Sequence, residues 1–181
     1  SGNPNGMAGM GRNLEIGSIE RSTKRGVPKY DSSDTFFFNA GGSQVELVCT
    51  SGNECHAGIE GTFMKYIFDG SKWVVTDKSG TQYYFGQTSD SRQEYLSKTS
   101  KWCLDKVVDL RGNYLIVSYT KDQNQIYPSE IQYTGNETTQ LAPCLSVQFV
   151  FEARPDIQTA FRTAFKVETA KRLRDIDVYD N

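Results

Sequence analysis

Three tight turns do most to limit what this chain can become: Asp69-Gly70, Asp77-Lys78-Ser79-Gly80, and Asp109-Leu110-Arg111-Gly112-Asn113. The first two separate the β-forming runs 62–68, 72–76 and 81–85, and the third separates 102–109 from 114–120. Such short turns can join only antiparallel neighbours, because a parallel crossover needs roughly a dozen residues or more. The stretch 62–85 is therefore expected to be a three-stranded meander, and 102–120 a hairpin. Gly70, Gly80 and Gly112 take the turn positions where positive φ suits glycine best.

The rest of the chain follows the same pattern more loosely. Leu145, Val147, Phe149 and Phe151 alternate with period two, and 126–133 reads as a strand that Pro128 pushes towards a sheet edge. Residues 86–101 are polar and are expected to form a loop, while 169–178 read as a final strand. Residues 156–168 stay open: Ile157, Phe161 and Phe165 fit one helical face, but Thr159 and Thr163 oppose a helix. The expected fold is all-β, with antiparallel meanders and hairpins in a sandwich-like or shell-like module of about eight to ten strands. Trp73, Tyr83, Trp102, Leu104, Val107, Ile116 and Phe149 are the expected core. Residues 1–13, with Gly2, Gly6, Gly9 and Gly11, are expected to be a flexible segment ahead of a domain at 14–181.

Composition narrows function by exclusion. The 181 residues carry 20 basic and 22 acidic side chains, a net charge of −2, which lacks the positive excess that nucleic-acid binding draws on. No apolar run approaches the length of a membrane-spanning helix. The 22 aromatic residues (Phe 10, Tyr 10, Trp 2) admit two readings, cross-strand core packing or an exposed carbohydrate-binding surface.

No catalytic or cofactor constellation stands out. Gly6-x-x-Gly9-x-Gly11 follows no expected strand and lacks the Lys-Ser/Thr of a phosphate loop. His56 is the single histidine and adjoins Cys55, but neighbours on an extended strand point to opposite faces, so the two are no ready dyad. Cys49, Cys55 and His56 match no usual zinc-ligand spacing, and Asp175, Asp177 and Asp180 lack the rest of a calcium loop. Of the four cysteines, an oxidised state would pair Cys49 with Cys55 and Cys103 with Cys144. Four reduced thiols serving as small apolar residues is the equal alternative.

The segment 16–38 is more specific. It runs Ser18-Ile19-Glu20-Arg21-Ser22-Thr23, then Gly26-Val27-Pro28-Lys29-Tyr30-Asp31, then Asp34-Thr35-Phe36. This resembles a segment near the start of the Salmonella-type virulence-plasmid B proteins and of the TcB-type subunits of insecticidal toxin complexes. The resemblance continues through 73–86, 102–113, 118–119, 127–135, 151–156 and 171–173, in order. Arg12 stands where that family carries a Trp. Asp109-x-x-Gly112-Asn113 followed by Tyr119 also resembles the Rhs/YD repeat of the same superfamily.

What the resemblance implies is structural. Such a region contributes strands to a shell around a C-terminal payload, with the rest of the same large protein (a propeller and an Rhs-type shell) and other toxin-complex subunits as partners. The ADP-ribosyltransferase activity associated with the virulence protein belongs to a separate domain that needs a Glu-x-Glu loop, and this chain contains no Glu-x-Glu. The chain is expected to be a non-enzymatic, cofactor-free slice of a longer bacterial protein that is secreted, and cytoplasmic before export. A ligand- or glycan-binding β-sandwich is the competing reading, and a hidden Cys–His hydrolase a third.

Overall fold

The computed structural model describes residues 6–8, 14–50, 53–59, 61 and 63–180. Most of the expected flexible segment 1–13, including Arg12, lies outside them. Thirteen strands and no helix occur among the described residues. They are β1 (Ser18–Arg21), β2 (Phe36–Ala40), β3 (Ser43–Cys49), β4 (Glu54–Ala57), β5 (Lys65–Phe68), β6 (Trp73–Thr76) and β7 (Gln82–Phe85). After them come β8 (Arg92–Tyr95), β9 (Lys98–Val108), β10 (Asn113–Asp122), β11 (Gln125–Asn136), β12 (Leu145–Ala160) and β13 (Val167–Asp180). Every pairing among them is antiparallel.

The pairings close a barrel. β1 through β7 follow one another edge to edge, β7 pairs with β9, and β9 returns to β1 through Ser18↔Cys103 and Ile19↔Trp102. β9 is long enough to serve a second sheet. Its backbone at Cys103 faces β7 and β8, while at Leu104 it faces β1, so β7 and β8 share one edge and β1 and β10 the other. The second sheet runs β8-β9-β10-β11-β12-β13 and ends in the long β12–β13 hairpin.

The barrel is filled, not hollow. Tyr66, Trp73 and Val75 are fully buried, and Trp102 is 1% exposed. Phe68 stacks on Trp73 at 4.6 Å between ring centroids, and Phe36 meets Trp73 edge-on at 4.9 Å. The Trp102 indole N–H donates to the Ser71 carbonyl at 2.7 Å, which ties the core to the β5–β6 turn. A smaller cluster of Cys103, Val117, Tyr119 and Ile126 lies under the second sheet, where the Tyr119 hydroxyl donates to the Leu104 carbonyl at 2.7 Å.

Of the expected core residues, Trp73, Trp102 and Leu104 are buried in the barrel, and Tyr83 and Val107 pack half-buried against it. Ile116 and Phe149 are half-buried and belong to neither buried cluster. Ile116 fails because its neighbour Val117 takes the inward face, and side chains alternate along a strand.

The strand count exceeds eight to ten for identifiable reasons. The segment 86–101 is not a loop: it holds β8 and the start of β9, turning at Leu96 and Ser97, whose φ angles are 46° and 64°. Residues 156–168 form no helix, because β12 continues to Ala160, turns, and resumes as β13 at Val167. Phe165 is buried, with its ring 5.9 Å from Tyr95, while Ile157 and Phe161 are exposed, so the three apolar residues share no face. Pro128 sits at a bulge opposite Tyr119, and β12 reaches β11 only from Glu130, so the proline lies outside the β12 ladder.

Candidate functional site

The sequence signature of 16–38 becomes a lock at one end of the barrel. β1 places Arg21 beside the connection to β2, and Asp34 closes that connection from its far end. The Asp34 carboxylate accepts from Arg21 Nη1 at 2.9 Å, from the Lys29 amide at 2.9 Å and from the Tyr30 amide at 2.7 Å. Arg21 Nε donates to the Thr99 carbonyl at 3.0 Å. The guanidinium lies 5.2 Å from the Tyr30 ring centroid, 5.1 Å from that of Phe36 and 5.6 Å from that of Trp102. Arginine suits this place: it forks towards a carboxylate while its flat face rests on aromatic rings.

Tyr30 carries the lock across to the second sheet. It sits at φ 63° with its own amide and that of Lys29 both bonded to Asp34, and its hydroxyl donates to the Thr163 carbonyl in the β12–β13 turn. Burial, opposed by the Arg21 charge and aided less by that of Asp34, pushes the Tyr30 phenol up to about 12. The phenol is thus held as a donor, not as a base.

Four aspartates repeat one turn device. Asp31, Asp69, Asp77 and Asp109 each accept from the backbone amide two residues on, at 2.8–2.9 Å. The Ser33, Ser71 and Ser79 hydroxyls add to the first three, and the Asn113 side-chain amide to the last. These bonds hold all four carboxyl groups below the ordinary aspartate value. The turn glycines Gly70, Gly80 and Gly112 have φ of 97°, 84° and 80°.

The cysteines divide. Cys49 and Cys55 stand opposite each other across β3 and β4 and form a disulfide. The second expected bridge is corrected: Cys103 is buried on β9 and Cys144 is exposed ahead of β12, and both are free thiols. Burial pushes the Cys103 thiol up to about 11, which makes it a poor nucleophile. Cys144 lies 3.0 Å from the Thr134 hydroxyl.

His56 is exposed on β4, 3.3 Å from a Glu54 carboxylate oxygen, and its neighbour Cys55 has its sulfur in the disulfide. Cys55 therefore offers His56 no thiolate. Among the described residues no group of three His, Cys, Asp or Glu side chains could hold a metal ion, and no helix is long and apolar enough to cross a membrane. In the sequence the basic run Arg21, Lys24, Arg25 and Lys29 reads as a solvated face salt-bridged to Glu20, Asp31 and Asp34 in preference to an anion site; sequence reasoning missed that the Arg21–Asp34 pair is buried. It also missed buried Asp105, which accepts from the Gln87 amide at 2.5 Å and the Thr88 hydroxyl at 3.0 Å and whose pKa burial raises.

Comparison with known proteins agrees with this architecture. Residues 1–67 match the family described as Salmonella virulence plasmid 65kDa B protein. The chain is 25% identical over 211 residues to the mono(ADP-ribosyl)transferases SpvB of Salmonella choleraesuis and Salmonella typhimurium, covering 91% of this chain and 35% of each relative. It thus spans about a third of the length of the curated relatives it matches. Among solved structures, the N-terminal domain of effector protein SpvB from Salmonella typhimurium superimposes with a TM-score of 0.84 at 18% identity, over 100% of this chain and 80% of that one. The TcdB2-TccC3-Cdc42 crystal structure gives 0.85 at 18% identity, over 100% of this chain and 12% of that one. The Photorhabdus luminescens Tc holotoxin pore gives 0.78 at 18%, over 99% of this chain and 12% of that one. Along its whole length the chain thus shares the all-β fold of the SpvB N-terminal domain and of part of TcdB2-TccC3.

Proposed function

We propose that this domain is a non-enzymatic structural module of a larger secreted bacterial toxin-like protein, contributing strands to a shell around a C-terminal payload. Its partners would be the remaining domains of the same protein, a propeller and an Rhs-type shell, and other toxin-complex subunits. The observation that carries this reading is one apolar row across the second sheet. Val117, Ile131, Val147 and Val178 are successive register partners on β10, β11, β12 and β13. Burial falls along that row, from Val117 at 3% exposed to Val178 at 67%.

Beside it, Ile176 is exposed opposite Phe149, and among the described residues β13 has no further strand on its outer edge, where only the Met7 carbonyl accepts from the Leu173 amide. A free-standing β domain guards such an edge and face, since both invite association. The buried tryptophans give the glycan-binding reading no indole platform on the surface.

Hydrogen exchange tests the proposal. In the isolated domain the β13 amides should exchange fast, and in the full-length protein they should be protected together with Ile176 and Val178. Equal exchange in both forms would remove the shell reading. Loss of payload protection from protease in an Ile176→Lys full-length variant would support it further.

A further inference from the structure

Most cations of this domain stand against a carboxylate, as Arg21 does with Asp34, Lys65 with Glu54, Lys106 with Glu137 and Arg172 with Glu152. Lys24, Lys101 and Arg162 form no ion pair among the described residues, yet all three line one cavity of about 280 Å³. The cavity lies where three separate parts of the chain converge. Lys24 comes from the β1–β2 connection, Lys101 from β9 and Arg162 from the β12–β13 turn.

The other charged groups there do not cancel them. Arg21 also lines the cavity but is committed to Asp34. Glu20, the cavity's single carboxylate, sits opposite Lys101 in the β1–β9 ladder. Glu20 and, from beside the cavity, Glu15 both act on the Lys101 charge, so the positive excess of the lining comes from Lys24 and Arg162, which form no ion pair among the described residues.

The surroundings are fixed. The Lys24 ammonium rests 4.0 Å from the Phe37 ring centroid, and Phe37 is buried. Next to Arg162, the Thr163 carbonyl is held by the Tyr30 hydroxyl, and Phe165 packs on Tyr95. Ser100 and Gln93, both buried, form the floor and are bonded to each other through the Ser100 hydroxyl at 3.1 Å.

We propose that this cavity is a site for a phosphate-sized tetrahedral oxyanion, held by Lys24, Lys101 and Arg162. Two ammonium groups supply point charges, and a guanidinium supplies a planar fork matched to two oxygens of the anion. The volume holds a phosphate with a few waters, at roughly 30 Å³ per water. Because Arg162 comes from the β12–β13 turn and Lys24 and Lys101 from the barrel, a bound anion would bridge the two sheets. The ligand can be free inorganic phosphate or the head of a phosphomonoester. The inference is independent of the shell reading.

The test titrates the domain with inorganic phosphate and, separately, with phenyl phosphate, at constant ionic strength made up with chloride, following backbone amide shifts. Saturable shifts are expected in the segments around Lys24, Lys101 and Arg162. Arg162→Gln and Lys101→Gln should each weaken binding about tenfold, as loss of a charge-assisted contact would. Lys78→Gln, at an unrelated turn, should bind like the parent. Response to inorganic phosphate alone would identify a free-ion site, and response to both a phosphomonoester site. Shifts that do not saturate, that chloride alone reproduces, or that survive in the Arg162→Gln and Lys101→Gln variants would overturn the proposal. Should Lys101→Gln fail to fold, Arg162→Gln and Lys24→Gln, both at exposed turns, decide it.

Discussion

The guanidinium of Arg21 meets the carboxylate of Asp34 at 2.9 Å, with their side chains only 12% and 8% exposed. The two residues begin and end the connection between the first two strands. Removing one partner of such a pair leaves the other charge out of water without compensation. Arg21→Met is expected to cost roughly 3 kcal/mol. The Arg21→Met/Asp34→Leu double variant should cost clearly less than the sum of the two single changes, a non-additivity that urea unfolding can measure.

Gly86 and Gly42 share nearly the same backbone, with φ of 73° and 78°, but differ in surroundings. A Cβ at Gly86 would lie 2.2 Å from Trp102 Cδ1, whereas at Gly42 nothing lies within 4 Å. Alanine at Gly42 should therefore cost only the left-handed strain, about 1–2 kcal/mol. Alanine at Gly86 should cost a further 1–3 kcal/mol or so from overpacking. Equal melting temperatures for the two variants would contradict the close approach to Trp102.

Gly112→Val combines positive φ with a β-branched side chain, and its Cβ would meet the Thr138 hydroxyl at 2.4 Å. This variant should melt well below the parent. An unchanged melting temperature would contradict the hairpin between β9 and β10.

Acid sensitivity should come from the turn aspartates. The Ser79 hydroxyl beside Asp77 and the Asn113 amide beside Asp109 hold both carboxyl groups below the ordinary value of 3.8. A folded value below the unfolded one gives stability that is present above pH 3.8 and fades as pH falls through the folded values. Asp77→Asn and Asp109→Asn should flatten the acid limb of a stability–pH profile. Burial raises the Asp105 value, so its contribution has the opposite sign: present at low pH, and lost as pH rises through its folded value. Asp105→Asn should make the acid limb steeper.

Thiol chemistry should separate the cysteines. Without reductant, an aromatic disulfide reagent should titrate Cys144 at once and reach Cys103 only on unfolding, because Cys103 is buried with its thiol pushed up to about 11. Reduction of the Cys49–Cys55 bridge, which spans a sequence separation of 6, should lower stability by about 2 kcal/mol on chain-entropy grounds. Two rapidly reacting thiols in the native protein would contradict the burial of Cys103.

Where the sequence carried strong local chemistry, the fold was legible. The Asp-Gly and Asp-x-x-Gly turns announced the meander and the hairpin because an aspartate and a glycine fix such turns by themselves. The β8–β9 turn escaped notice because Leu96 and Ser97 take positive φ without being the Gly, Asn or Asp that favour it, held there by the paired strands on either side. Closure of the barrel was equally hidden, since the β1–β9 ladder joins residues about eighty positions apart and leaves no local periodicity. The signature at 16–38 was visible as a pattern. Its meaning was not, because a salt bridge that folds a connection onto three aromatic rings depends on where the chain brings Trp102 and Thr99.

The double pairing of β9 has a mechanical consequence. A pull on the β12–β13 hairpin travels through β11 and β10 into a strand that is also a stave of the closed barrel. That strand is hydrogen-bonded on both sides at each end, to β8 and β1 at its start and to β7 and β10 at its finish. It has no free side from which to be unzipped one bond at a time. Tension must shear several ladders at once, so the domain is built to hold under load until it gives way as a whole.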